Sequence, residues 1–433
     1  MRRNILAGTL GMAWAAVAFG MPLPLLMRAV EASGFQLGVL GALRQAAMLA
    51  QLPGAFLAER FHRRKPSWAV LAIAHRAMWL VPALLPALFP HRREWWPLGI
   101  IVALGISEVL ANASVASWFS WMADLLPAER AGRFWGFRMR VLSVSLIVAS
   151  LGFGVMLDVF TKPGHEFLGF ALVFGIAAIF GIGDVAVHCW VDEPVPHPGA
   201  LHEPWWRRVI EPLRDRDFRR LTFAFGAWTC ALGLPGYSNG MPGFFNIVYL
   251  KEAFAASYSQ ASCIVIASAL GAVICAPRLG HAIDRYGARA VALRLIVCGP
   301  LCTLAWFFVS PARWRIPLLG LTPQPVLLIS TMSLAVGGLY AGMQLCQLRL
   351  TQAHTGSAGR TVALAVHWSI VGLIGMLGPL LAGWIKDHFP ASWSTLTLPC
   401  GAAFSYFQIL IVLHLAIAWG VALPLVRNLK TES

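Results

Sequence analysis

A chain of 433 residues that is 58% hydrophobic and only 12% charged, with 18 Trp and 25 Phe and a mean hydropathy of +0.68, is not a soluble globular domain. Soluble domains carry about 25% charged residues. The formal net charge of +15 invites a nucleic-acid reading, but the charge lies in short clusters between long apolar runs, and that excludes nucleic acid as a partner.

Apolar runs of about 20 residues, enough to cross a ~30 Å hydrocarbon core as helix, recur along the whole length. Lipid satisfies no backbone hydrogen bonds, and no run alternates as a barrel strand does, so each is read as helix. The first, 5–27, follows Arg2 and Arg3 and resembles a signal peptide in outline, but it runs on apolar to Leu26 and eleven more follow, so it is read as a retained helix. The second, 36–58, contains Arg44 and leads into FLAERFHRRK at 56–65. Windows 67–90, 97–121, 140–160 and 167–191 complete six, carrying Arg76 in the third, Glu108 and Asn112 in the fourth and Asp184 in the sixth.

Residues 192–218 read as a cytoplasmic linker. Pro, His and Gly open it, and from Pro204 onward Trp205, Trp206, Val209, Ile210 and Leu213 share one helical face with arginines around the others. That pattern predicts an amphipathic helix lying on the inner leaflet. Six more windows follow at 219–249, 257–279, 290–310, 323–347, 361–385 and 401–426. Eight cysteines from Cys189 to Cys400 fall in or beside these windows without a CxxC pair, as small buried apolar residues and not as a disulfide or metal framework. No metal site and no cofactor are expected.

With the termini placed inside, 23 of the 34 Lys and Arg fall on the inner side, 8 on the outer side and 3 within windows. This is the positive-inside pattern, and it puts both termini in the cytoplasm. The excess of 29 Arg over 5 Lys, with abundant Ala, points to a GC-rich bacterial genome and to the cytoplasmic membrane.

The two sets of six windows repeat. Glu59-Arg60 after the second window matches Asp284-Arg285 after the eighth at an offset of 225. Gly20-Met21-Pro22 matches Gly240-Met241-Pro242 at 220, and Ala131-Gly132-Arg133 matches Ala358-Gly359-Arg360 at 227. Three matches in one order at nearly one offset make the chain a tandem of six-helix halves, 1–191 and 219–433, in parallel topology.

These motifs resemble those of the major facilitator superfamily of secondary transporters, over essentially the whole chain. The family's loop between helices 2 and 3 reads roughly G-x-L-A-D-R-x-G-R-K. Here Gly280, Asp284, Arg285, Gly287 and Arg289 in GHAIDRYGAR fit the second copy of that loop. Leu57, Ala58, Arg60, Arg63 and Arg64 fit the first, in which Ala55, Glu59 and His62 depart from it. DLLPAERAGRFWGFR at 124–138 resembles the loop between helices 4 and 5, and GMLGPLLAGWIKD at 375–387 the Gly/Pro-rich helix 11.

The resemblance implies an all-α membrane protein of twelve transmembrane helices in two pseudo-symmetric bundles, moving a small solute by alternating access as a monomer. It also implies that the charged loops latch one state. By pseudo-symmetry Glu59 would lie near the start of helix 11 at Arg360, and Asp284 near the start of helix 5 at Arg133, an acid at a helix N-terminus being favourable. The alternative is a mere topology signal. Helices 1, 2, 4, 5, 7, 8, 10 and 11 would line the cavity, with 3 and 6 outside it, so Arg76 and Asp184 read as a structural ion pair.

Glu108, at mid-membrane in a cavity helix with Arg44 at similar depth, is the candidate proton-coupling group, because burial and a nearby guanidinium act on a carboxylate in opposite senses. The alternative is a permanent clamp between the two. Asn112 on the same helix, and Tyr237, Asn239, Asn246, Tyr258, Gln344, Gln347, His367 and Trp368 in the second half, are candidate substrate contacts. Their hydrogen-bonding and stacking groups suit a neutral polar solute such as a sugar, taken up with H+; efflux of drug-like or lipophilic compounds is the other direction weighed. The fifth window reads LGFGVMLD at 151–158 without the proline of the family's antiporter pattern. A membrane enzyme is not supported, since the twelve His are dispersed and form no HExxH, and neither is a sensor, which would need an added soluble domain.

Overall fold

The computed structural model describes residues 2–60, 63–125, 128–161, 165–194, 205–238, 241–316, 320–354, 360–389, 393–397 and 403–429. Among the described residues, ten helices are long and apolar enough to cross a bilayer. They are Arg2–Ala29 (span 1), Arg64–Leu88 (span 3), Arg93–Met122 (span 4), Phe134–Val159 (span 5), Glu166–Cys189 (span 6), Tyr258–Tyr286 (span 8), Ala288–Phe308 (span 9), Gln324–Ala353 (span 10), Val362–His388 (span 11) and Tyr406–Arg427 (span 12).

The two remaining places are filled by interrupted segments. Span 2 runs as Gly34–Ala46, a 3₁₀ turn Ala47–Ala50, and Gln51–Arg60. Span 7 is split into Arg216–Gly233 and Phe244–Phe254 by a small hairpin that pairs Tyr237–Ser238 with Met241–Pro242. The molecule is a twelve-helix membrane protein, and short hairpins of this kind are the departure from an all-helical reading.

The break in span 1 follows from one residue. Helix Arg2–Ala18 stops and Pro22–Ala29 begins anew. The carbonyl of Ala18 would take its hydrogen bond from the N–H four residues on, and Pro22 has none. In span 7, Gly236 adopts φ +87° next to Pro235, a conformation that needs glycine. The GMP tripeptides of the internal repeat therefore lie at the two breaks.

Within the first half, span 1 packs on spans 5 and 6, and span 4 on spans 2 and 3. In the second half, span 10 packs on spans 8 and 9, and span 7 on span 11. The halves meet along two seams, span 2 against span 11 and span 5 against span 8, and the outer pieces of spans 1 and 7 touch on the face opposite the termini. Glycines allow the close approach: a Cβ on Gly38 would lie 2.4 Å from the Pro379 carbonyl oxygen, and one on Gly154 would lie 2.4 Å from the Ser262 hydroxyl.

The linker helix, Trp205–Arg214, does not present one undivided apolar face. Val209 and Leu213 pack onto Phe218, Val362 and Val366, and the Arg208 guanidinium lies 5.8 Å from the Phe56 ring. Trp206 and Ile210 remain exposed. The helix thus docks on the ends of spans 2, 7 and 11 and turns only part of its apolar surface outward.

Candidate functional site

Arg44 sits where the two broken helices come together. Its Nε donates to Glu108 Oε1 at 2.9 Å, and its Nη2 donates to the Ala18 carbonyl, the one left open by Pro22, at 2.8 Å. The guanidinium carbon lies 4.9 Å from the Phe19 ring at the break in span 1 and 5.7 Å from the Phe244 ring, the first residue after the break in span 7. The Arg44 and Glu108 side chains are 10% and 12% exposed, so both charges are largely withdrawn from solvent. One turn along span 4, Asn112 Nδ2 donates to the Glu108 carbonyl, and Gln51 Nε2 donates to Asn112 Oδ1, each at 2.9 Å. Spans 1, 2, 4 and 7 are joined through one ion pair.

A second buried network fills the interior of the first half. Arg76 Nη2 lies 3.2 Å from Asp184 Oδ2, and His188 Nδ1 donates to the other Asp184 oxygen at 2.9 Å. Asn4 Nδ2 reaches His188 Nε2 at 3.2 Å, and Arg138 Nε donates to Asn4 Oδ1 at 2.9 Å. On the other side, Arg76 Nη1 lies 3.0 Å from His75 Nε2, and His75 Nδ1 lies 2.7 Å from the Ser107 hydroxyl. The Arg76 guanidinium also stacks 3.5 Å from the Trp14 ring centroid. The structure brings Arg76 of span 3 and Asp184 of span 6 together. Asn4 and Arg138 were not singled out from the sequence, because neither lies near the other in sequence and no spacing links span 1 to span 5.

The polar residues of the second half form separate groups. His367 is fully buried, with Thr222 Oγ1 and Gln347 Nε2 each 3.0 Å from its ring nitrogens. Gln344 Nε2 donates to the Tyr340 hydroxyl at 2.7 Å, and Trp368 is half-buried beside the His367 ring. The Tyr237 hydroxyl is buried close to Asn246 and Trp306 and 3.8 Å from the Met332 sulfur. Tyr258 lies away from all of these, at the face opposite the termini, where its hydroxyl donates to Glu166. Asn239 lies outside the described residues.

Of the loop residues, the side chains of Glu59, Arg60, Arg133 and Arg360 lie outside what the structure describes, so neither expected latch contact has both partners in view. Asp284 is exposed and 3.3 Å from Arg349 of its own half. Arg63 and Arg285 are exposed as well, and Arg289 donates to the Arg427 carbonyl. No Cβ neighbour within 4 Å accounts for Gly280. Gly287 ends span 8 at φ +81°, which gives that glycine a backbone reason.

Two six-helix bundles packed along two seams, with broken helices meeting at a buried ion pair, form the architecture of an alternating-access membrane transporter. The sequence model of the Major Facilitator Superfamily matches residues 4–367, and the chain belongs to that family. No curated protein matches it in sequence. Among solved structures, the fold is similar to that of a point mutant of the nucleoside transporter NupG, with TM-score 0.70 and 14% identity over 99% of each chain. A D-xylose-proton symporter gives 0.63 and 16% over 99% of this chain and 97% of that one. A bacterial homologue of the iron transporter ferroportin in an inward-facing state gives 0.64 and 14% over 98% and 96%.

Proposed function

We propose that the protein takes up a small neutral polar solute together with H+, and that Glu108 carries the proton. The observation behind this reading is the position of Arg44 between Glu108, the open Ala18 carbonyl and Phe244 of the other half. While Glu108 is ionised, its charge and the guanidinium hold each other. A proton on Glu108 removes the ion pair and leaves Arg44 held by the Ala18 carbonyl and the Phe19 and Phe244 rings without its counter-charge, so its hold on the junction of spans 1 and 7 changes with the proton. Gln51, Asn112, Gln344, Tyr340 and Trp368 then supply the directional bonds and stacking faces for an uncharged cargo. Nucleosides and D-xylose, named for two of the similar structures, are solutes of that kind; at this identity the likeness concerns the fold, and the cargo reading rests on the residues.

The 23 to 8 division of basic residues supports placing both termini inside, and the excess of Arg over Lys with abundant Ala supports a bacterial cytoplasmic membrane. The loops bearing Glu59, Arg60, Arg63, Gly280, Asp284, Arg285, Gly287 and Arg289, with Arg133 and Arg360, then latch the cytoplasmic face in the opposite state.

The test begins with a thermal-shift screen against sugars, nucleosides, organic acids and amphiphiles, followed by flux in proteoliposomes. Glu108→Gln keeps size and hydrogen bonding but removes titration. Exchange of solute should persist, and accumulation driven by a pH gradient should disappear. If Glu108→Gln still concentrates solute under that gradient, Glu108 is only a clamp. Stabilisation by amphiphiles alone would turn the reading to efflux.

A further inference from the structure

Two aspartates bridge the halves on the face opposite the termini, and they do so in the same way. Span 2 opens with a capping box: the Ser33 hydroxyl accepts from the Gln36 amide at 3.1 Å, and the Gln36 side chain accepts from the Ser33 amide at 2.9 Å. Span 8 opens with another, in which Ser257 and Gln260 make the equivalent bonds at 3.2 and 2.9 Å. A capping box leaves the next two N–H groups of the helix without partners. In span 2 these belong to Gly34 and Phe35, and both donate to Asp387 of span 11, at 2.6 and 2.7 Å. In span 8 they belong to Tyr258 and Ser259, and both donate to Asp158 of span 5, at 2.7 and 2.9 Å. The two serines lie 224 residues apart and the two aspartates 229, so the arrangement occupies the same place in each repeat.

An ordinary cap does not explain these acids. Both helices already carry their own N-cap serine, and each aspartate comes from the other half of the molecule. Each also sits in the last turn of its own helix, the end at which the macrodipole disfavours a negative charge. Its position is favourable only while the N-terminus of the opposite half is in contact, where two charge-assisted bonds and the positive end of a helix meet it. Parting spans 2 and 11, or spans 5 and 8, at this face would break two such bonds and leave the carboxylate against its own helix end.

We infer that Asp158 and Asp387 are paired latches that hold this face shut, one on each seam, and that together they set the balance between the two states of the transport cycle.

The test uses Asp158→Asn, Asp387→Asn and the double variant, which preserve shape and one acceptor but not charge. A Met27→Cys probe in a background without other cysteines reports the opening, since Met27 lies in the outer piece of span 1 and is fully buried here. Reaction with a charged maleimide should speed up about tenfold in each single variant, the scale of a lost charge-assisted contact at a helix end. The two contacts share no residue, so the double variant should be faster by about a hundredfold. Rates within about twofold of the parent in all three would overturn the inference, as would a double variant no faster than the singles. Hydrogen exchange of the unmutated protein checks the idea without any substitution. The amides of Gly34, Phe35, Tyr258 and Ser259 should open with one common free energy, whereas independent opening of the two pairs contradicts a shared latch.

Discussion

Asp184→Asn separates the two buried ion pairs of the first half by what each does. Asp184 is 10% exposed at its side chain and Arg76 13%. The carboxylate holds both Arg76 and His188, and the remaining neighbours of the guanidinium in this network, Trp14 and His75, bring no counter-charge. At this burial the relevant figure is that of a buried pair with one partner removed, about 3–5 kcal/mol. The surface figure, about 0–1 kcal/mol, belongs to a pair such as Arg349–Asp284, whose side chains are 63% and 68% exposed. The glycines agree that the pair is built in: a Cβ on Gly11 would lie 2.7 Å from Asp184 Oδ2, and one on Gly181 would lie 2.8 Å from Arg76 Cδ.

Unfolding of the purified protein in an SDS titration should therefore show Asp184→Asn destabilised by about 3–5 kcal/mol. Adding Arg76→Gln should recover part of that loss, because the guanidinium paired with Asp184 is removed while Arg138, whose charge Asp184 also balances, stays buried. The folded double variant should still accumulate solute under a pH gradient. Two results would refute this reasoning. Asp184→Asn within about 1 kcal/mol of the parent would mean that water or movement relieves the arginine. A stable double variant without proton-driven accumulation would move the pair from scaffold to coupling.

Two further substitutions test the seams and the linker. Gly38→Ala should lower stability by about 1–3 kcal/mol by forcing span 2 off Pro379, while Gly136→Ala, with nothing within 4 Å of its added Cβ, should be neutral or slightly stabilising; equal effects in the same titration would deny the close approach. Trp206 should be quenched by lipid-borne quenchers in the reconstituted protein, and Trp206→Ser should remove that signal without loss of folding; no quenching would place this face of the linker helix in water.

The fold was legible because its signals are long and repeated. Apolar runs of the right length and three short matches at nearly one offset define twelve spans and their duplication, and the structure differs mainly where a span is interrupted. The break in span 1 was also written in the sequence, since Pro22 deprives Ala18 of a donor, and the GMP repeat marked both breaks before their meaning was visible. The capping boxes of spans 2 and 8 were readable too, as Ser-x-x-Gln at Ser33 and Ser257 at the same place in each repeat. What could not be read is the partner of a group whose contact lies far along the chain. Asp158 and Asp387 look like ordinary polar ends of spans until the other half is packed against them. Asn4 and Arg138 likewise form one network only because spans 1, 5 and 6 converge.

The duplication also shows what is not duplicated. Among the described residues, the breaks of spans 1 and 7, the capping boxes of spans 2 and 8 and the two far-face aspartates occur at equivalent positions, and all lie where the halves meet. The interior charges occur once. Arg44, Glu108, Arg76, Asp184 and Arg138 belong to the first half, whereas the ion pairs of the second half, among the described residues, lie at span ends: Arg220–Asp217, Arg349–Asp284 and Lys386–Glu252. Within the spans there, the buried polar groups are amides, hydroxyls and imidazoles such as Gln347, Thr222 and His367. A rocking mechanism requires symmetric gates but not symmetric chemistry. A charge that must respond to protons is best placed where a counter-charge is at hand, and a neutral cargo is best held where no fixed charge competes for its hydroxyls. On the proposed function the first half would then answer to the proton and the second to the solute, with Arg44 against Phe244 as the place where the two meet.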